Sequence, residues 1–163
     1  MVIQHGVVVD EWGNMHVNTP IYSARKSFMS ALYGIAQARR QINVDATLDQ
    51  QGIDDNALSL TATEKQATLL NMLEARSGRY HGASYEPATM VARRPPRQSL
   101  AGHLLVLQQR DFNTLGGIYE KETGVSVFKA VQHELAEPIE MQATVPVTVS
   151  MSVTEAHCIL RTR

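Results

Sequence analysis

Residues 76–99, RSGRYHGASYEPATMVARRPPRQS, set five arginines, two tyrosines and a histidine against a single acid, Glu86. Arginine carries a planar, permanently charged fork that pairs phosphate or carboxylate oxygens two at a time and stacks on aromatic planes. Pro95 and Pro96 offer no backbone donor and favour an extended chain, so Arg93, Arg94 and Arg97 are expected along an exposed ridge. Arg79 and Tyr80 would extend that surface with a charge and a stacking ring. Lys26 and Arg40, on the polar stripe of a helix, form a second basic patch.

Acid–base chemistry needs a histidine and a carboxylate brought together by the fold. Tyr80, His81, Tyr85 and Glu86 are the densest local group, with Gly78 and Gly82 as hinges, and His133 is followed directly by Glu134. The stretch HELAE, residues 133–137, puts His133 and Glu137 one helical turn apart but lacks the second histidine of a zinc-binding helix. His157 and Cys158 are adjacent, and in a strand neighbouring side chains point to opposite faces. In HGASYEP, Glu86 stands where a nucleophile elbow needs its second glycine. Neither a dinucleotide fingerprint nor a phosphate loop occurs, so no metal and no cofactor are expected and no catalytic residue is assigned.

The totals are those of an ordinary globular domain: 163 residues, 44% hydrophobic and 19% charged. The formal net charge of −1 hides segregation. Residues 12–44 carry four bases and no acid, and residues 45–64 carry five acids and no base. Six arginines face one acid over 75–110, and seven acids face two lysines over 111–155. Such blocks suit a polyanion site or self-association through opposite patches. Cys158 is the single cysteine and forms no internal disulfide, which makes a cytoplasmic location the expectation. No leader pattern opens the chain, and no run approaches the roughly 18 apolar residues of a membrane-spanning helix.

Several elements must position these groups. The valine-rich start reads as a β-hairpin turning at Gly13-Asn14, which would bring Glu11 opposite His16. Thr19 and Pro20 open a helix whose core face is Ile21, Ala24, Phe28, Ala31, Leu32, Ile35 and Ala38. Residues 44–60 read as an acidic connector pinned by its few apolar side chains. Thr61 and Glu64 stand in capping-box register for a second helix that ends at Gly78. A third is expected from Ser99 to the glycine pair Gly116-Gly117, and Pro138 stops a further piece. Val145, Val147, Val149, Met151 and Val153 alternate as in a half-buried strand.

The pattern predicts one α+β domain over residues 1–163, with a mixed or antiparallel sheet made from the N-terminal hairpin and C-terminal strands and two to three helices on one face. The functional expectation is a non-enzymatic binding or assembly protein. Its segment 76–98 would contact an acidic protein surface, another copy of the chain, or a nucleic-acid phosphate backbone, with no membrane partner. The alternative is a small α+β enzyme using His81 or His133 with Glu86 or Glu134.

Overall fold

A computed structural model describes residues 1–14, 22–54, 59–79, 89, 101–103, 105 and 109–141. Strands β1 (Val2–Gln4) and β2 (Val7–Asp10) pair antiparallel, with Gln4 opposite Val7 and Ile3 opposite Val8. The two-residue loop between them is His5-Gly6, both left-handed at φ 51° and 79°, the combination a type I′ hairpin turn requires. The hairpin is therefore present but turns eight residues earlier than the Gly13-Asn14 signal suggested. His16, its proposed contact, lies outside the described residues.

Helix α1 (Arg25–Ala38) follows a 3₁₀ turn at Tyr22–Ala24. Its expected caps, Thr19 and Pro20, lie outside the described residues. Its buried stripe is Lys26, Leu32, Tyr33 and Ala36, while Ala24, Ala31 and Ala38 face outward. The helix is thus rotated from the face read in the sequence. Alanine buries little apolar area, whereas Tyr33 buries a whole ring and finds a partner for its hydroxyl in the Leu115 carbonyl at 2.8 Å.

The acidic connector is a series of turns, closed by bonds such as Gln51 N–H to the Thr47 carbonyl and Ile53 N–H to the Leu48 carbonyl. Ile42, Val44, Ala46 and Leu48 point inward on alternate positions. Leu48 N–H donates to the Ala67 carbonyl, and Leu69 and Leu70 N–H donate to the Ala46 and Val44 carbonyls. The second expected helix is two short ones, α2 (Ala62–Lys65) and α3 (Leu69–Leu73). The capping box at Thr61 and Glu64 forms as read from the sequence, and a second one, Thr68 with Asn71, starts α3. That second cap interrupts the helix, because a threonine in extended backbone that bonds the N–H three residues on is a start signal.

Helix α4 (Gln109–Thr123) runs through Gly116 and Gly117 and ends before Gly124, which is left-handed at φ 70°. The glycine pair does not stop it. A Cβ at Gly116 would lie 3.7 Å from Met29 Cε, an ordinary contact distance, so the described packing against α1 does not require a glycine there. Helix α5 (Val127–Ala130), capped by Ser126, continues as a π-helical segment, Val131–Ala136, before Pro138. Helices α1, α3, α4 and α5 enclose a core that includes Leu32, Leu69, Met72, Leu115 and Ile118.

The described chain is α+β, with a two-stranded antiparallel sheet and five α-helices. Among the described residues no helix is long and apolar enough to cross a membrane.

Candidate active site

Ser23 belongs to the 3₁₀ turn and is exposed, and Lys26 belongs to the first turn of α1. Residues three apart on a helix lie on one side of it. Lys26 Nζ donates to Ser23 Oγ at 3.4 Å. The lysine is only 8% exposed, and its Nζ stands 5.4 Å from the centroid of the Phe112 ring on α4. Burial first, and the neighbouring Arg25 charge second, hold its amine below the ordinary lysine range. A small pocket of about 20 Å³ opens beside it, lined on its apolar side by Phe28, Met29, Phe112, Val127 and Val131.

A serine hydroxyl is a weak nucleophile until a base takes its proton, and a partly desolvated lysine is one such base because burial disfavours its ammonium form. An accessible serine oxygen touching a buried amine is therefore equipped for acyl transfer. The group was missed in reading the sequence, where Lys26 fell on a polar stripe. The signal that finds it is the spacing Ser23-Ala24-Arg25-Lys26 at a helix start.

The residues expected on the basic surface are dispersed. Arg79 is 2% exposed, its backbone N–H donating to Ser77 Oγ at 3.2 Å and its guanidinium to Thr114 Oγ1 at 3.4 Å. It belongs to the interior, with Ser77 and the buried Asp111. Lys26 is buried as well, so neither supplies an exposed charge. Arg40 is exposed just after α1 in left-handed backbone, φ 59°. Tyr80, Arg93, Arg94 and Arg97, with His81, Tyr85 and Glu86, lie outside the described residues.

His133 and Glu134 do not pair with each other. His133 Nδ1 meets Glu137 at 2.9 Å, while Glu134 takes both forks of Arg39 at 2.7 Å. Those contacts hold both carboxyls below the ordinary glutamate range, through the Arg39 hydrogen bond for Glu134 and the His133 hydrogen bond for Glu137. These are open surface pairs, not a pocket. Among the described residues, no three histidine, cysteine or acidic side chains come together as metal ligands.

No family model matches the chain, and no curated protein is significantly similar to it. Its fold resembles solved structures. A class C beta-lactamase in complex with cefoxitin superposes with a TM-score of 0.57 at 21% identity, over 77% of this chain and 36% of that one. A mutant class C beta-lactamase gives 0.57 at 20% identity, over 77% and 35%. A structure of SurE gives 0.57 at 16% identity, over 83% and 32%. The chain spans about a third of the length of the solved structures it matches, and at these identities the likeness is one of fold.

Proposed function

We propose that this chain carries the nucleophilic dyad of a serine acyl hydrolase, with Ser23 as nucleophile and Lys26 as base. The contact of an exposed serine hydroxyl with a buried lysine amine, 3.4 Å apart, carries this reading. Neutral Lys26 takes the hydroxyl proton as Ser23 Oγ attacks the carbonyl carbon of an ester or amide. The tetrahedral adduct then expels its alkoxide or amine, which receives the proton from the Lys26 ammonium. Water releases the acid from the acyl-serine by the same steps in reverse roles.

Ser-x-x-Lys is also the nucleophile motif of class A β-lactamases and penicillin-binding proteins. The fold likeness to class C beta-lactamases, one of them bound to cefoxitin, supports strained cyclic amides as a substrate class by analogy of fold alone. The test is intact mass and peptide mapping after exposure to a fluorescent penicillin and to p-nitrophenyl acetate. An adduct on Ser23 that Ser23→Ala and Lys26→Met both remove supports the dyad. No Ser23 adduct with either reagent refutes it.

The charge blocks favour a second reading, contact of segment 76–98 with an acidic protein surface, a second copy, or a phosphate backbone. Burial takes Arg79 and Lys26 out of that surface and leaves Arg40, Arg93, Arg94 and Arg97 as its candidates. Mass by light scattering, with absorbance at 260 and 280 nm, tests it: a discrete oligomer or salt-removable nucleic acid supports it, and a clean monomer counts against it. A wider sheet, in which residues 145–153 join the hairpin, rests on the alternation of their valines, and they lie outside the described residues. The single cysteine supports a cytoplasmic compartment.

A further inference from the structure

Lys26 faces an unusual set of neighbours for an amine that is to handle a proton. Arg25, on its own helix, brings a like charge. From α4 it meets the Phe112 ring, which is 7% exposed. The carboxyl next to that ring in sequence, Asp111, is turned away to the Ser77 hydroxyl at 2.7 Å. From α5 and the π-helical segment the pocket wall beside Lys26 receives Val127 and Val131. The charged side chains of that segment are engaged elsewhere, His133 with Glu137 and Glu134 with Arg39. Among the described residues no carboxylate pairs with Lys26.

A carboxylate within salt-bridge distance would favour the ammonium strongly and hold the proton on it. An aromatic face within about 6 Å attracts the cation far more weakly, yet orients it. Among the described residues, the Lys26 ammonium meets the ring centroid at 5.4 Å and the Ser23 oxygen at 3.4 Å.

We propose that Phe112 is a positioning residue, whose ring face aims Lys26 at Ser23 and sets how readily the amine takes and releases the serine proton. The role rests on the dyad reading. The ring steadies the ammonium while the proton is on nitrogen, without trapping it there.

The test replaces Phe112 in the full chain by mono-, di- and trifluorophenylalanine, which keep the shape of the ring while withdrawing electron density from its face. Two readouts are taken: the titration midpoint of Lys26 from the NMR signal of its labelled Cε, and the pH dependence of Ser23 acylation by p-nitrophenyl acetate. The Lys26 midpoint should fall stepwise along the series, by about half a pH unit in all, with the acid limb of acylation moving alongside. Phe112→Tyr, which retains the ring face, should keep the parental profile. Acylation of Ser23 with a Lys26 midpoint that stays constant along the series overturns the role of Phe112 alone. Absence of Ser23 acylation in the unsubstituted chain overturns the dyad, and this role with it, whatever the midpoints do.

Discussion

Replacing Asp111 by asparagine should make the chain relatively more stable as the pH rises. Asp111 lies in the first turn of α4 with no solvent exposure, and its Oδ2 accepts a hydrogen bond from the Ser77 hydroxyl. Burial pushes its carboxyl up from the ordinary 3.8 to about 6, against the opposing pull of the Ser77 hydrogen bond and of the Arg79 and Arg110 charges. The folded chain therefore binds this proton more tightly than the unfolded chain does. The stability contributed by the protonated group is fully present below the unfolded value, declines as the pH rises, and is lost through about 6. A displacement of that size corresponds to about 3 kcal/mol.

Asp111→Asn removes the titration and keeps a carbonyl oxygen for Ser77. Any fixed cost of fitting the amide is the same at every pH. The stability difference, variant minus parent, should therefore grow by up to about 3 kcal/mol between roughly pH 4 and pH 7 and then level off. Urea unfolding of both proteins at half-unit steps of pH, followed by circular dichroism of the helices, gives that difference directly. A difference that stays constant over the window, or that shrinks as the pH rises, refutes the assignment of a raised carboxyl to this position.

Further outcomes are expected elsewhere in the chain. Tyr33→Phe removes the buried donor to the Leu115 carbonyl and should cost about 1–2 kcal/mol in urea unfolding. Thr61→Ala removes the side chain that receives the Glu64 N–H, a loss of about 1 kcal/mol measured the same way. Arg40→Gly relieves a left-handed arginine beyond α1, and thermal melts should show a gain on the order of 0.5 kcal/mol after the entropy of the new glycine is counted. Ser23→Ala should remove acylation by p-nitrophenyl acetate and, by taking the hydroxyl partner from the buried Lys26 amine, lower stability in urea unfolding by about 1 kcal/mol.

Local signals proved readable where the physics is local. The Thr61 and Glu64 capping box needs only four consecutive residues, and it forms as read. Thr68 and Asn71 carry the same kind of signal, but both fall inside what reads as one continuous apolar pattern. The hairpin was visible in its valines, but the sequence signal put its turn at Gly13-Asn14, whereas it lies at His5-Gly6 with both residues left-handed. The glycines at 116 and 117 read as a stop because glycine is a poor helix former in isolation. The helix continues because Phe112, Leu115, Ile118 and Tyr119, on both sides of the pair, are buried in the core, which no local propensity reveals.

Residue types and spacing alone thus determined that the chain starts with a hairpin, that a helix covers Phe28 to Ala38, that Thr61 opens a second helical region, and that charge runs in blocks. They also contained the Ser-x-x-Lys spacing, but as four polar or small residues among many. Tertiary structure decided which face of α1 turns inward, and so whether Lys26 meets water or the Phe112 ring. It likewise drew Arg79 out of an apparent surface ridge to lie with Ser77 and Thr114. The physical reason is common to both: a charged side chain has the same propensity in either setting, and its acid–base behaviour comes from burial and neighbours supplied by segments distant in the chain.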